Sequence, residues 1–531
     1  MLAPKKALPN RLILYSIGVF SLLSLVFLGG CLDKRSVVSA SAPDRLVLAI
    51  ESEPSNLNPL YATDANSQNL GTLLYNSLVK IDRNLTPVPD LASSMHVEKN
   101  RFYTFKLKQN IKFHDGRSVT SEDVKRSILL YQSDKMKSPF QGVFQKIKNI
   151  KTPSPWVINF ETDSIEPGLL VDLYLLKILP TDKVERADYN QKLIGTGPYE
   201  LIKKESQSIL LKRFEGYFEG EAKTHYVEFK IVKDETTKYL KLVRGEIDIA
   251  HNNLSPLKVD TASKRTDLKI QRTPGTGYNY IGFNLHNEKF QNVQVRKAIA
   301  MGLDIETVIK SKLKGYARQA TSVLSPEFYY QAKLNPIPYN PKEAEKILDE
   351  IGYKRRNKSG MRDLDFEFKT SNNRLSVQVA QIFSDMLKKI GVQANVRAYE
   401  WGTFYGDIKS RNFDVYSLRW IGHVGPEFLY DLYHSVGVNK PGLHEPYFNR
   451  IGYSNPRVDE LLEQGMRIVD PIERKPYFVK AQKIINADIP YISLWYPDIL
   501  TVYNKNIFGV ELDPTGNWKF ISNVIKIDLK K

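Results

Sequence analysis

A single cysteine, Cys31, closes the apolar run near the start of this chain, and no second thiol exists for it to pair with. Whatever folds behind it has no internal disulfide, so its stability must come from burial in a large core. At 531 residues the chain is too long for one such core and should divide into two or three domains. Hydrophobic residues at 42% and charged residues at 25% are ordinary globular values, sufficient to fill those cores.

The start of the chain differs from the rest. Lys5, Lys6 and Arg11 form a basic stretch, and residues 12–28 are an uncharged, largely apolar run that leads into Leu28-Gly29-Gly30-Cys31. This is the pattern of a secretory signal. A run of about 17 residues is also the lower limit for spanning a bilayer, so a permanent anchor is the alternative. The four closing residues resemble the bacterial lipobox, in which two small residues admit the signal peptidase and the thiol receives a diacylglycerol. On that resemblance residues 1–30 are a signal peptide, Cys31 is the lipidation site, and residues 31–43, rich in Ser and Ala, are a flexible tether.

Loss of residues 1–30 would lower the net charge from +17 to +14, because it removes only Lys5, Lys6 and Arg11. Such a surface favours anionic neighbours such as lipid headgroups. Nucleic acid is not expected as a partner: the lysines form short scattered clusters such as Lys203 and Lys204, with no nucleic-acid motif among them.

From Asp44 onward, alternating or apolar runs at 46–50, 102–107, 156–160, 226–232 and 413–418 predict strands. Helices lie between them. Asn340 can cap one, with Pro341 in its first turn, Ala344, Ile347, Leu348 and Ile351 on one face, and Gly352 as its stop. A second is predicted over 375–390, stopped by Gly391, and others follow Arg457 and Glu473. The interleaving predicts a mixed α/β protein.

The motifs of reactive sites are missing from the sequence. There is no Gly-x-Ser-x-Gly elbow, no His-Glu-x-x-His zinc helix and no Walker phosphate loop. No catalytic residue, cofactor or metal site is therefore expected, and a hydrolase is a remote alternative. His423, His434 and His444 are near one another in sequence, but their spacing fits no compact metal motif.

Distinctive segments run along the chain in order: Glu53-Pro54-Ser55-Asn56-Leu57-Asn58-Pro59, then Tyr103-Thr104-Phe105-Lys106-Leu107-Lys108, then Ile111-Lys112-Phe113-His114-Asp115-Gly116 and Thr120-Ser121-Glu122-Asp123-Val124. Gly195-Thr196-Gly197-Pro198-Tyr199, Glu400-Trp401-Gly402-Thr403-Phe404 and Pro490-Tyr491-Ile492-Ser493-Leu494-Trp495 continue the series. By themselves Asp115-Gly116 predicts a turn, Thr120 a helix cap, and the Gly195 and Gly197 pair a turn rather than a phosphate loop. Together they resemble the peptide and nickel binding proteins of ABC importers, the extracellular solute-binding family 5.

The resemblance implies a two-lobed α/β clamp of the periplasmic-binding-protein type, with an additional domain inserted in the first lobe. Lobe I would comprise residues 44–83, 193–283 and 500–531, the inserted domain 84–192, and lobe II 284–499. It also implies an extracytoplasmic, lipid-anchored monomer that captures di- or oligopeptides and delivers them to an ABC permease and its ATPase. A binder of nickel, a metal chelate or another solute on the same fold is the alternative.

By position, Thr63 and Asp64, Trp401, and the run Trp420, Ile421, Gly422 and His423 are implied as ligand contacts. Peptide-binding relatives carry an aspartate three residues after the tryptophan matching Trp420, and it pairs with the ligand's amine. Here that position is His423, whose neutral imidazole cannot neutralise a buried ammonium. Glu427, Asp431 and Asp64 are the candidate replacements.

Overall fold

Several helices of this chain start where a short polar side chain takes up the free amides of the first turn. The computed structural model describes residues 44–166, 168–184, 192–356, 359–421, 425–437, 449–468 and 470–527. Asn340 accepts a hydrogen bond from the Glu343 amide at 3.1 Å, and the helix Pro341–Glu350 follows with Ala344, Ile347 and Leu348 buried. Gly352 then turns the chain away at φ +94°, a conformation that disfavours any side chain. Helix Arg374–Lys389 repeats the plan, from its Asn373 cap to Gly391. At Ser121–Gln132 the Asp123 carboxylate reaches back to the Thr120 amide at 2.9 Å.

Several boundaries differ from the sequence expectation: the strand expected over 156–160 is Val157–Thr162, and the one expected over 226–232 ends at Ile231. Helix Pro471–Asp488 begins before Glu473 because Asp470 caps it, accepting from the amides of Ile472 and Glu473 at 2.8 and 2.9 Å. The strand expected over 413–418 is Val415–Trp420, since its register on Tyr278–Phe283 runs from Val415 opposite Phe283 to Trp420 opposite Tyr278. Phe413 packs in the core just outside it.

Three sheets carry the fold. The first has seven strands in the order Leu268–Thr273, Ile499–Asn504, Ile249–His251, Arg45–Ile50, Tyr226–Ile231, Ser208–Arg213 and Tyr199–Lys204. Arg45–Ile50 pairs in parallel with both of its neighbours. A six-stranded sheet has the order Ala317–Gln319, Tyr491–Pro497, Tyr278–Phe283, Val415–Trp420, Asp365–Ser371 and Gln393–Tyr399. A four-stranded antiparallel sheet, Ala92–Glu98, Phe102–Leu107, Val157–Thr162 and Ile147–Ser154, lies within the segment expected as an insertion. The result is a two-lobed α/β clamp with an inserted domain.

The insertion shares its core with the first lobe. Leu46, Leu48 and Ile50 of the first sheet belong to the same buried cluster as Phe105, Phe113 and Ile158. Within the first lobe, Gly195 and Gly197 let the chain close on the end of helix Ala65–Leu74. A Cβ on Gly195 would stand 1.9 Å from the Leu74 carbonyl oxygen, and one on Gly197 would stand 2.3 Å from that of Leu73. These glycines permit backbone contact rather than forming a mere turn.

The chain passes between the two large sheets through residues 274–277 and again at Asp498. Strand Tyr278–Phe283, assigned by sequence to lobe I, pairs in the second sheet with Val415–Trp420 and Tyr491–Pro497. The first crossing therefore precedes residue 278 rather than following 283. The crossings are pinned by charge: Arg272 Nε donates to Asp498, and Arg318 donates to the Gly275 carbonyl at 3.1 Å.

Candidate functional site

The end of the second sheet nearest these crossings gathers aromatic rings. Trp420, last in its strand, is buried and lies parallel to Tyr280 at 6.1 Å, while Phe428 meets it edge-on at 5.3 Å. Tyr278 stacks on Tyr280 at 5.5 Å. A groove with about 240 Å³ of open space runs along Tyr278, Phe328, Trp420, Ile421 and Phe428. Tyr278 also lines a neighbouring depression bounded by Ser322, Tyr433, Gln482, Tyr491 and Ser493. Concave apolar surface with a few polar groups is what a solute site requires.

Trp401 reaches the same cluster through two intermediaries. It opens helix Trp401–Lys409, is 52% exposed, and stacks on Tyr405 at 5.4 Å. The Arg450 guanidinium donates to the Tyr405 hydroxyl at 2.8 Å and covers both the Tyr405 and the Trp420 rings. An exposed tryptophan, a tyrosine, an arginine and a buried tryptophan thus form one continuous ladder. Cation and ring faces attract through the ring quadrupole.

The other expected residues fall differently. Thr63 is exposed. Asp64 caps helix Ala65–Leu74, accepting from the Ser67 amide at 3.0 Å and the Ser55 amide at 3.1 Å as well as from both hydroxyls. Burial works to raise its pKa, but these hydrogen bonds hold it below the usual carboxylate value. Those bonds occupy Asp64 within its own segment. Ile421 is 54% exposed at the mouth of the groove. Gly422 and His423 lie outside the described residues, as do Cys31 and His444.

Glu427 opens the short helix Glu427–Tyr433 and accepts from Arg474 at 2.7 Å. Both side chains are largely buried, and the arginine also lies over Tyr330 and Phe478. Asp431, one turn on, faces the inserted domain, where Lys146 bridges Glu166 at 3.1 Å and Asp172 at 3.3 Å. Burial, reinforced by the charges of Asp172 and Glu427, pushes the Asp431 carboxyl up to about 7. The two segments touch: a Cβ on Gly168 would meet Glu427 Cγ at 3.0 Å.

His434 is satisfied locally, stacked on Tyr430 at 4.2 Å and hydrogen bonded to Glu463 and to the Val436 amide. Among the described residues no group of His, Cys, Asp and Glu could hold a metal ion. No helix among them is long and apolar enough to cross a membrane.

Sequence reasoning missed Arg474, Arg450, Tyr405 and the Lys146 cluster. One signal for Arg474 was available: it shares the helical stripe of Phe478, Gln482 and Ile485, so a charge sat on a buried face. Arg450 carries no such mark.

The model for bacterial extracellular solute-binding proteins, family 5, matches residues 86–440. The chain belongs to that family. Family members are binding proteins that work outside the cytoplasm, and the aromatic ladder and groove belong to such a protein. The chain is 29% identical to the oligopeptide-binding protein AppA of Bacillus subtilis, covering 92% of this chain and 94% of that one. It is 25% identical to the glutathione-binding protein GsiB of Escherichia coli K12, covering 91% and 94%. The solved structure of NikZ from Campylobacter jejuni in complex with Ni(L-His) matches with a TM-score of 0.79 at 26% identity, over 91% of this chain and all of that one. AppA in complex with a nonapeptide matches at 0.77 and 26%, over 91% and 99%.

Proposed function

We propose that this chain is the solute-binding subunit of an ABC importer and captures peptides between two closing lobes for delivery to a membrane permease and its ATPase. The observation that carries the reading is its likeness over nearly the full chain to an oligopeptide-binding protein of the same family. The groove at Trp420 supports it, since aromatic walls bind a solute without demanding one sequence of side chains. The role needs no catalytic residue.

In this reading lobe I comprises residues 44–83, 193–277 and 500–531, the inserted domain 84–192, and lobe II 278–499. Thr63, Trp401, Trp420, Ile421, Gly422 and His423 contact the solute in this reading, while Asp64 and Glu427 hold their segments in shape. Residues 1–30 are removed on export, and lipidated Cys31 tethers a monomer to the outer face of a membrane. Native mass spectrometry of protein purified from its own host tests the reading, with a co-purifying peptide as the expected result. A Cys31→Ser variant that is fully processed yet stays in washed membranes would overturn the anchor.

The second reading is a metal chelate as solute, favoured by the fold match to NikZ, whose structure holds Ni(L-His). In the same mass spectra it appears as a bound nickel complex.

A further inference from the structure

Helix Glu427–Tyr433 buries Phe428, Leu429, Leu432 and Tyr433 in the core of the second lobe, while its two acidic residues, Glu427 and Asp431, meet the inserted domain. The contact is close at two points. A Cβ on Gly168 would stand 3.0 Å from Glu427 Cγ, and one on Gly425 would meet Val171 Cγ2 at 4.0 Å. Because the inserted domain shares its core with the first lobe, this contact joins one lobe to the other. It lies outside both crossings, 274–277 and Asp498, and must break when the lobes part.

Charge at the contact does not balance. Glu166 and Asp172 come from the inserted domain and Glu427 and Asp431 from the helix, against the cations Lys146 and Arg474. Arg474 is spent on Glu427 at 2.7 Å, and Lys146 is divided between Glu166 at 3.1 Å and Asp172 at 3.3 Å. Among the described residues Asp431 has no ion-pair partner, and His434, at the far end of its helix, is turned to Glu463. Burial and the charges of Asp172 and Glu427 hold the Asp431 carboxyl at about 7, with Lys146 opposing, and burial raises Asp172 as well.

Resting on the solute-binding reading above, we propose that Asp431 and Asp172 form a proton-operated latch between the lobes, in which one proton held at this carboxyl pair lets the lobes close and its loss drives them apart. Two carboxylates brought together from opposite sides cannot both ionise without cost. On opening, water reaches Asp431, and its carboxyl returns toward the ordinary aspartate value of about 3.9. Between about pH 4 and pH 7 closing therefore takes up a proton, and closure strengthens as pH falls. Above about pH 7 the closed form must hold its carboxylates ionised together, and the open form gains. A solute that binds the closed form inherits this dependence. The sign separates a latch from a direct role of Asp431 as the anion for a solute amine, which would strengthen binding as pH rises.

Calorimetric titration of the full chain with tetra-alanine at pH 6, in two buffers of different ionisation enthalpy, counts the protons taken up with the solute. Wild type is expected to take up at least about half a proton per solute, and to bind at least about fivefold more tightly at pH 5.5 than at pH 7.5. Asp431→Asn should lower the uptake and bring the affinity ratio within about twofold. Asp172→Asn, on the other side of the contact, should lower the uptake too. Uptake that is unchanged in either variant overturns the latch, as does wild-type affinity that rises with pH. Where tetra-alanine does not bind, the failure belongs to the choice of solute, and small-angle scattering without solute decides the latch. The wild-type radius of gyration should shrink from pH 8 to pH 5, and that of Asp431→Asn should stay constant. A wild-type radius that does not move with pH, or that moves equally in the variant, overturns it.

Discussion

The guanidinium of Arg450 lies 4.7 Å from the Trp420 ring centroid and 5.0 Å from that of Tyr405, joining a buried ring to one that carries an exposed tryptophan. The two tryptophans of the ladder should therefore answer differently to truncation. Trp420→Ala empties a core position and should cost about 3–5 kcal/mol of stability. Trp401→Ala should change stability by no more than about 0.5 kcal/mol but weaken solute binding. Chemical denaturation and calorimetry on both variants separate the roles, and equal losses of stability would contradict the exposed position of Trp401.

Glu427 and Arg474 illustrate a buried pair in which each partner makes the other tolerable. Removing one charge strands its partner, so Glu427→Gln should destabilise the protein by about 3 kcal/mol. The double variant Glu427→Leu with Arg474→Met should lie closer to wild type, since no lone charge remains. Urea melts of the three proteins test this. Additive losses would mean that the pair is not coupled.

Gly195→Ala should prevent residues 195–197 from seating against the end of helix Ala65–Leu74 within the first lobe. The new methyl would have to overlap the Leu74 carbonyl, a backbone atom that cannot swing aside. We expect little folded protein, or a melting temperature lower by about 10 °C or more, the result of several kcal/mol of strain. Gly142→Ala, in open space, is the control and should be close to neutral.

The sequence made visible what is local or periodic. The caps at Asn340 and Thr120, the glycine stops at Gly352 and Gly391 and the strands expected over 102–107 and 226–232, the latter ending one residue early, rest on contacts a few residues long. Motif likeness brought Trp401 and Trp420 forward, and the structure links them through Tyr405 and Arg450, with which no local pattern connects them. Asp64 and Glu427 show the limit of reading acidity as availability. The one is saturated by Ser55 and Ser67, and the other by an arginine 47 positions away. The boundary set at 283 failed for a related reason: a strand's sheet is decided by distant partners, Val415–Trp420 and Tyr491–Pro497, rather than by its own residues.

Asp431 should give this protein a pH dependence of identifiable origin. Its carboxyl titrates near 7 in the folded chain, raised by burial and by Asp172 and Glu427, with Lys146 opposing, whereas an unfolded aspartate titrates near about 3.9. Between those values the folded state holds a proton that the unfolded state has released. Stability from this group is therefore full below about pH 4, declines as pH rises through the window, and is lost above about pH 7, where a carboxylate must be kept charged in a buried, like-charged setting. Asp431→Asn mimics the protonated form at every pH. Below about pH 4 the variant and wild type should melt together, and from pH 5 upward the variant should melt progressively higher, by about 2–4 °C at pH 8. The comparison cancels titrating groups shared by both proteins that lie away from this contact. A difference that stays constant from pH 5 to 8 would mean that Asp431 is already ionised at pH 5. It would then have to be compensated by a cation other than Lys146, which is committed to Glu166 and Asp172.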